Sequence, residues 1–568
     1  MRYIALASDY DGTLAQDGAV AEGVVRSLER LRQSGRKLIL VTGRELDELK
    51  SIFSELELFD RVVAENGALL YDPSSRESRT LADPPSAQLV ESLRRRGVPD
   101  VRSGAVIVAM WRPHEHEALA AIHELGLECQ VIFNKDAVMI LPSGVNKMTG
   151  LLAALKELKI SPHSVVGIGD AENDHAFLGC CECAVAVANA IPALKEKADL
   201  VTQGSQGSGV VELITRLVES DLKELAPRLI REGILLGKAG EMSVSLNPFG
   251  VSALVCGLSG GGKSTLVGGV MEHLIQKSYQ VCLIDPEGDF EAANEFLATG
   301  DAKHGPSLDH LESILSDVDT QVAVNMVGVP IDDRAGLFAR VLAIAHDHRL
   351  RTGRPHWLVV DEAHHMFPGE WAHQGIDLAG NYGSVILLTV HPGHVSPLVL
   401  KQVNALIVVG RAPAAVIGEF CEIVGRKMPS VEDRDLVPGE ALVWRIDVDD
   451  PIRIRTEPAR MAHARHKRKY AQGELEEGRV FYFRGPGNRL NLRAHNFTMF
   501  TQIAKGIDDE TWLYHLRRGD YSRWLSEAIK DEALAEEAQS TERDESLSPL
   551  ESRSRILQAI AERYTAPE

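Results

Sequence analysis

Two short motifs, each at the end of an apolar strand-like run, constrain this chain most strongly. DYDGT (Asp9 to Thr13) closes the run YIALASD near the start, and GLSGGGKST (Gly257 to Thr265) follows ALVC near the middle. Each motif suits phosphate handling in the loop that leaves a strand, and each has supporting residues after later strands. The sequence therefore predicts two separate phosphate sites on two separate sheets.

Around both motifs, apolar strands alternate with amphipathic helices, which indicates doubly wound parallel sheets. The chain has 568 residues, too many for one hydrophobic core. We predict an α/β domain with an inserted α+β cap, a second α/β domain, and a small, mostly helical module. The predicted boundaries are 1–220 for the first domain with its cap at about 72–140, 221–235 for a linker, 236–455 for the second domain, 456–478 for a basic linker, 479–540 for the module and 541–568 for an acidic, partly disordered tail.

Composition excludes some function classes. The formal net charge of −20 disfavours non-specific nucleic-acid binding by the whole chain. No apolar run reaches membrane-spanning length, and the N-terminal run lacks the cleavable site of a signal peptide. Seven cysteines without an even framework of spacings fit reduced thiols. We therefore expect a cytoplasmic protein without membrane contact. The basic stretch MAHARHKRKYAQ is expected to be a solvated linker, with nucleic-acid contact as the alternative.

The first motif carries two carboxylates separated by one residue. In a loop after a strand, Asp9 and Asp11 can both reach one site, where one attacks phosphorus and the other handles the proton of the leaving group. Gly12 permits the tight turn that this arrangement needs. The motif alone is short enough to occur by chance in a surface turn, so the prediction depends on its companions.

Those companions follow later strand-like runs in order. Thr42, in LVTGR, could hold a phosphoryl oxygen, and Lys147, at a helix start, could neutralise the transferred group. Asp170 and Asp174, in GIGDAENDHAFL, offer the hard oxygens that suit magnesium. Together with AENGA and AVANAIPALKEKADLVT, this set resembles the haloacid dehalogenase superfamily, and its Cof-type branch in particular, over roughly the first 215 residues.

The resemblance implies a Mg²⁺-dependent phosphatase with a Rossmann-like parallel sheet. Asp9 would be the nucleophile that forms an aspartyl-phosphate, and Asp11 would protonate the leaving oxygen and then activate water. Thr42 and Lys147 would bind phosphate. The metal would be held by Asp9, Asp170 and the backbone carbonyl of Asp11, with support from Asp174. The cap would select a small phosphorylated metabolite, such as a sugar phosphate or phosphoglycolate; Arg112, His114 and His116 are candidate substrate contacts, although a solvated polar loop is the plainer interpretation.

The second motif lies between an apolar strand and a helix, as a P-loop requires. Its glycines let backbone N–H groups wrap phosphates, Lys263 reaches the outer phosphates, and Ser264 binds Mg²⁺. In HWLVVDEAHH, Asp361 is a Walker-B carboxylate and Glu362 can activate water, which suits hydrolysis better than phosphoryl transfer. The predicted ATP-binding residues are Gly257, Gly260, Gly261, Gly262, Lys263, Ser264, Thr265, Asp361 and Thr389, and Ser264 and Asp361 are the predicted metal ligands.

With ILLG before the P-loop and VCLIDPEGDF after the first crossover, the block from about 230 to 450 resembles the HerA/FtsK-type ATPases. The resemblance implies a RecA-like α/β domain, a homo-oligomer, usually a hexamer, and an arginine from a neighbouring subunit, for which Arg411 and Arg426 are candidates. The block has little room for the insertions of a large motor, which argues against translocation.

The leading hypothesis is a bifunctional hydrolase, in which a phosphatase is fused to an ATPase. Three alternatives stay open at this point: a nucleic-acid end-processing phosphatase with a kinase, a DNA translocase with an accessory phosphatase-like domain, and a nucleotide-dependent assembly platform without turnover. Glu362 and the Cof-type features disfavour the first, and the intact catalytic residues at both motifs disfavour the last.

Overall fold

In the computed structural model, the described residues form two large sheets, a small cap sheet and a C-terminal helical module. The structure describes the whole chain except residues 85, 135, 224, 226–232, 259–260, 289–294, 302, 370, 372–376, 447–449, 458–479, 530, 545 and 565–568. The predicted basic linker falls almost entirely in the range 458–479, which lies outside the described residues.

The first region, residues 1–220, contains the first large sheet and the cap. Its strands are β1 (Ala5–Ser8), β2 (Lys37–Val41), β3 (Arg61–Ala64), β4 (Leu69–Asp72), β5 (Glu77–Thr80), β6 (Arg102–Ser103), β7 (Val108–Trp111), β8 (Cys129–Asn134), β9 (Ala137–Pro142), β10 (Val165–Gly169), β11 (Cys183–Ala186) and β12 (Leu200–Val201). Its helices are α1 (Glu22–Gln33), α2 (Leu46–Ile52), α3 (Ala87–Arg95), α4 (Glu115–Leu125), α5 (Lys147–Leu158), α6 (His175–Cys180), α7 (Pro192–Lys197) and α8 (Gly207–Ser220).

Within the described part of this region, eight strands build the large sheet, in the order β12-β11-β10-β1-β2-β3-β4-β5. All pairs from β12 to β3 are parallel, as predicted, and β1 and β10 are buried along their whole length. Ser8 lies opposite both Ile168 of β10 and Leu40 of β2. The residues that follow these three strands therefore leave the same edge of the sheet.

The cap is smaller than predicted. Strand β5, which was placed in the cap, instead forms a hairpin with β4, and this hairpin continues the core sheet by antiparallel pairing with β3. The hairpin stays with the core because the apolar residues of β4 are buried in the main hydrophobic cluster. After Thr80, the cap forms an antiparallel sheet in the order β6-β7-β9-β8, and helices α3 and α4 pack on each other beside it.

The second region, residues 234–456, contains the second large sheet. Its strands are β13 (Ile234–Ala239), β14 (Met242–Leu246), β15 (Ser252–Cys256), β16 (Val281–Asp285), β17 (Phe296–Thr299), β18 (Gln321–Asn325), β19 (Trp357–Val360), β20 (Ser384–Thr389), β21 (Ala405–Val408), β22 (Glu440–Arg445) and β23 (Ile452–Thr456). Its helices are α9 (Lys263–Gln276), α10 (Leu308–Ser316), α11 (Ile331–Thr352), α12 (Ala363–Met366), α13 (Leu378–Tyr382), α14 (Pro397–Leu400) and α15 (Pro413–Val424). Strand β13 begins inside the stretch predicted as a linker.

The middle of this sheet is parallel and runs in the order β21-β15-β20-β19-β16-β18-β17. Strands β15, β16, β19 and β20 are buried throughout, as expected for parallel strands covered on both faces. Antiparallel strands β22, β23, β13 and β14 extend one edge. Strand β20 therefore lies between β15, which leads into the glycine-rich loop, and β19, which ends at Asp361.

The C-terminal module, residues 480–564, has an aromatic core. It consists of β24 (Phe481–Phe483), β25 (Leu492–Ala494), α16 (Phe497–Gly506), α17 (Asp509–Arg517), α18 (Asp520–Trp524), a π-helical turn (Leu525–Ile529), α19 (Glu532–Arg543) and α20 (Pro549–Tyr564). Residues 540–554 were expected to be disordered before a last short helix, but α20 already begins at Pro549. Its apolar face, which includes Ile556 and Ile560, is buried in the module's core, so helix formation is stabilised by packing.

The first and second regions contact each other through the amino ends of their strands. The ring of His163, just before β10, stacks on Tyr279, just before β16, with 3.7 Å between ring centroids. His163 Nε2 also lies 2.7 Å from the carbonyl oxygen of Lys277. The predicted sites are at the carboxyl ends of both sheets, so each lies at the opposite end of its sheet from this contact. Among the described residues, no helix has the length and apolar character needed to span a membrane.

Candidate active sites

A buried lysine joins two carboxylates at the carboxyl edge of the first sheet. Lys147 Nζ lies 2.5 Å from Asp9 Oδ1 and 2.6 Å from Asp174 Oδ1, and all three side chains are buried. Lys147 is the first residue of α5, whose start is fixed by a capping box between Asn146 and Thr149. Burial alone would lower the pKa of Lys147, but the charges of Asp174 and Asp9 raise it above its usual value. The ammonium therefore stays protonated.

Three carboxylates beside this lysine could hold a metal ion. Asp9, Asp170 and Asp174 each offer an oxygen, and these oxygens lie within 4.8 Å of one another. Asp174 Oδ2 accepts hydrogen bonds from the backbone N–H groups of Asp170 and Ala171, which fixes its orientation. Burial, together with the charges of Asp174 and Asp170, raises the pKa of Asp9 to about 8 although Lys147 opposes the shift. A hard divalent cation fits this set, because it takes oxygen ligands and would offset the repulsion.

Asp11 lies at the same edge but has a partner that sequence reasoning missed. Arg44 donates from Nε and Nη2 to the two oxygens of Asp11, both at 2.7 Å, and from Nη1 to Glu48 at 2.6 Å. The hydrogen bond and charge of Asp11 raise the pKa of Arg44. The motif LVTGR contains this arginine two residues after Thr42, so a signal was present. Thr42 itself is fully buried just after β2, and its hydroxyl accepts from the N–H of Arg44.

A cavity of about 480 Å³ separates these residues from the cap. Asp11, Gly12, Gly43 and Arg44 line it from the core, and strands β7 and β9 line it from the cap. The predicted substrate contacts Arg112, His114 and His116 are not among its lining residues. Instead, the guanidinium of Arg112 lies over the ring of Phe133, and His114 lies 3.7 Å from Glu117. The neighbouring Trp111, at the end of β7, lines the cavity instead.

Glu65 connects core and cap. Its buried carboxylate, just after β3, accepts hydrogen bonds from the backbone N–H groups of Ala105, Val106 and Ile107 in the cap. Glu65 and Asn66 both have φ of 52°, in the left-handed region that non-glycine residues rarely adopt. Such strain persists only where contacts enforce it, and here it aims the carboxylate at the cap loop that carries Ile107 into the cavity.

In the second region, the glycine-rich loop leads from β15 into α9. Gly257, with φ of 156°, has no room for a Cβ, which would lie 2.3 Å from the carbonyl oxygen of Val409. Gly262, with φ of 97°, precedes the helix, and Lys263, Ser264 and Thr265 form its first turn. Lys263 Nζ donates to the carbonyl oxygen of Gly257 at 2.6 Å. Gly261 packs near Gly410 of the loop after β21, while the predicted Gly260 lies outside the described residues.

Asp361 and Glu362 follow β19 near this loop. Asp361 is buried, and its Oδ1 accepts from the N–H of Glu362, whose φ of 43° is in the left-handed region. Thr389, at the end of β20, lies 3.4 Å from Nδ1 of His364, and that nitrogen also lies 3.4 Å from Glu362. Burial and the charges of His365 and His394 lower the pKa of His364 to about 4, so this unpredicted ring is neutral at pH 7. The candidate arginines, Arg411 and Arg426, are both exposed.

Comparison with known proteins places the first region in a family. A family model described as haloacid dehalogenase-like hydrolase matches residues 6–95 and 120–214. Phosphoglycolate phosphatase 2 of Saccharolobus solfataricus is 30% identical over 224 residues, which cover 38% of this chain and 94% of that protein. The chain belongs to the haloacid dehalogenase-like hydrolases. This confirms the family predicted for the first region.

Further relatives match the same part of this haloacid dehalogenase-like hydrolase. Phosphoglycolate phosphatase of Methanothermobacter thermautotrophicus is also 30% identical over 224 residues, covering 38% of this chain and 98% of that protein. A solved haloacid dehalogenase-like hydrolase from Bacteroides thetaiotaomicron, at 20% identity and a TM-score of 0.34, covers 38% of this chain and 99% of its own. The second region lies beyond the family match, so its ATPase activity, oligomerisation and nucleic-acid contact stay predictions.

Proposed function

We propose that the first region is a Mg²⁺-dependent phosphomonoesterase that works through an aspartyl-phosphate on Asp9. The observation that carries the proposal is the buried cluster in which Lys147 contacts Asp9 and Asp174 beside Asp170. Phosphatase relatives of the first region support the same reaction class. Mg²⁺ bound by Asp9, Asp170 and the backbone carbonyl of Asp11, with support from Asp174, would supply positive charge that offsets the charge of the phosphoryl group.

The chain's own residues divide the reaction into two displacements. An oxygen of Asp9 bonds to phosphorus while the bond to the ester oxygen breaks, and Asp11 gives its proton to the departing alcohol. Asp11 then takes a proton from water, whose oxygen bonds to phosphorus as the bond to Asp9 breaks and phosphate leaves. Lys147 and Thr42 would hold the phosphoryl oxygens. Because Arg44 donates to both oxygens of Asp11, this contact would have to open before Asp11 gives or takes a proton.

The proposed substrate is a small phosphorylated metabolite. A volume of about 480 Å³ between core and cap is within the range of small-molecule sites, and the cap would enclose the alcohol of the ester. The relatives that are named phosphoglycolate phosphatases support a substrate of this size.

We propose that the second region binds and hydrolyses ATP. Support comes from the loop between β15 and α9, which begins the helix at Lys263, and from Asp361 and Glu362 after β19, two strands away in the sheet. Backbone N–H groups and the helix N-terminus would hold the phosphates, Ser264 and Asp361 would hold Mg²⁺, and Glu362 would orient water. Thr389, on the intervening strand, would contact the outermost phosphate.

The test is phosphate release from a panel of small phosphate esters and 3′-phosphorylated oligonucleotides, measured with and without ATP. Wild type is compared with Asp9→Asn and Lys263→Ala, which serve as controls for each other. We expect Asp9→Asn to abolish ester hydrolysis only, and Lys263→Ala to abolish ATP hydrolysis only. Ester hydrolysis that survives in Asp9→Asn would contradict the first proposal. Cleavage of the oligonucleotides in preference to small esters would favour the end-processing alternative, and DNA-stimulated ATP hydrolysis without ester turnover would favour the translocase.

A further inference from the structure

The charge around the cavity is strongly one-sided. Among the described residues that line it, the charged ones are six acids and two arginines. The acids are Asp11, Asp17, Glu45, Glu48, Asp100 and Asp136, and the arginines are Arg44 and Arg102.

Both arginines already face carboxylates. Arg44 donates to Asp11 and Glu48, so its charge is shared between two acids. Arg102 lies close enough to Glu45 to lower that group's pKa, but burial and the charges of Glu65 and Glu48 outweigh it and raise the pKa of Glu45. Each arginine of the described lining therefore has a carboxylate close to it.

Three further acids of the described lining have no such contact with a described side chain. Among the residues that the structure describes, the carboxylates of Asp17, Asp100 and Asp136 make no hydrogen bond or ion pair with another side chain. All three are exposed, and a cleft lined by one sign of charge concentrates ligands of the opposite sign. Asp100 and Asp136 both belong to the cap, which faces the alcohol of a bound ester.

Trp111 adds an aromatic surface to the same wall. It lines the cavity beside Asp136, and 49% of its surface is exposed although it ends a strand of the cap sheet. The face of an indole ring attracts cations, and carboxylates next to an exposed aromatic ring suit an ammonium group. A substrate carboxylate in this position would instead meet the negative charge of Asp136 and the electron-rich face of the Trp111 indole.

We propose that the substrate is a phosphate monoester whose alcohol carries a protonated amine, and that Asp100, Asp136 and Trp111 recognise the ammonium. This inference rests on the proposed phosphatase function of the first region. The proposed substrate preference differs from the one in the names of the phosphoglycolate phosphatase relatives, because the alcohol of phosphoglycolate carries a carboxylate.

Matched esters test the charge preference directly. Each of two series offers an ammonium, a hydroxyl and a carboxylate member, in that order. The six-carbon series is glucosamine 6-phosphate, glucose 6-phosphate and 6-phosphogluconate. The two-carbon series is 2-aminoethyl phosphate, 2-hydroxyethyl phosphate and phosphoglycolate. With full-length protein and Mg²⁺, we expect kcat/KM to fall in that order, by about 10- to 100-fold from amine to carboxylate at low salt. Equal rates, or fastest turnover of the neutral or carboxylate member in both series, would overturn the inference.

Substitutions of the two cap carboxylates test whether they recognise the ammonium group. Asp100→Asn and Asp136→Asn keep side-chain size and remove charge, so KM for the amino esters should rise several-fold more than KM for the matched neutral esters. Glu91→Gln, on α3 of the cap but outside the cavity lining, is the control and should alter none of these. Equal effects of all three variants on KM would contradict recognition at the cavity. Failure of wild type to cleave even p-nitrophenyl phosphate would instead overturn the proposed function on which the inference rests.

Discussion

Lys147 and Lys263 both begin a helix at the carboxyl edge of a parallel sheet, but different groups hold them. Lys147 contacts two buried carboxylates that follow separate strands, whereas Lys263 contacts a backbone carbonyl of its own loop. The first lysine is therefore held by charged side chains distant in sequence, whereas the second contacts the backbone of its own loop. Substitutions at the first should disturb folding as well as chemistry, and substitutions at the second mainly chemistry.

The largest loss of activity should come from substituting a proposed metal ligand, and each substitution should abolish only the activity of its own region. Asp170→Asn removes a charged oxygen ligand in the first region, so ester hydrolysis should fall about 1000-fold. ATP hydrolysis should not change, because Asp170 belongs to the first sheet. Asp361→Asn is the matched variant and should have the opposite pattern. Parallel assays of phosphate release check this, and loss of both activities in either variant would break the separation.

The two lysines should also differ in their contribution to stability. Lys147→Met leaves Asp9 and Asp174 buried without their cation and should lower the free energy of unfolding by about 3–5 kcal/mol. Lys263→Met removes a bond to a carbonyl and should cost about 1 kcal/mol. Urea unfolding followed by tryptophan fluorescence and circular dichroism measures both. Adding Asp9→Asn to Lys147→Met should recover part of the loss, and equal costs for the two lysines would contradict the comparison.

Cap attachment in the first region provides a smaller test. Glu65→Gln replaces one accepting oxygen by an amide group facing backbone donors, which should weaken the contact with residues 105–107 by about 1–3 kcal/mol. Hydrogen exchange of the Val106 and Ile107 amides should accelerate while exchange in β1 stays slow. Glu77→Gln, on the exposed strand β5, is the control. Unchanged exchange at both amides would show that Glu65 does not hold the cap.

The smallest predicted effect is a pH dependence at the contact between the regions. Burial, with the charges of His163 and Arg349, lowers the pKa of His356 well below its unfolded value of 6.5, and its Nδ1 accepts from the N–H of Gln280. The neutral ring therefore stabilises the fold fully above pH 6.5, and this contribution is lost as pH falls below that value. Melting temperature should drop less on acidification in His356→Asn, which keeps an acceptor without titrating. Identical pH profiles would contradict this role.

Much of the first site followed from strand order. Asp9, Thr42 and Asp170 each follow an apolar run, and parallel pairing of those runs necessarily brings them to one edge. Lys147 could be assigned to the same site because it begins a helix between the Thr42 and Asp170 motifs. The family comparison supports the α/β fold with a parallel sheet for the first region.

Other contacts depend on geometry that a linear pattern does not contain. The pairing of Arg44 with Asp11 is set by side-chain conformation, and the Glu65 contact requires the cap to be already folded. Trp111 lines the cavity while Arg112 does not, because the strand ends between them. Helix α20 begins earlier than expected, because its polar composition outweighs an apolar face that only the module's core makes visible.

The central claim is that Asp9 carries the phosphoryl group, and trapping that intermediate tests it most directly. Asp11→Asn removes the base that activates water, so a covalent phosphoenzyme formed from p-nitrophenyl phosphate and Mg²⁺ should accumulate. After an acid quench, peptide mass spectrometry should find one added phosphoryl group on Asp9, and none in Asp9→Asn/Asp11→Asn. Ester turnover with no phosphoryl group on Asp9, or a label on another residue, would contradict the account.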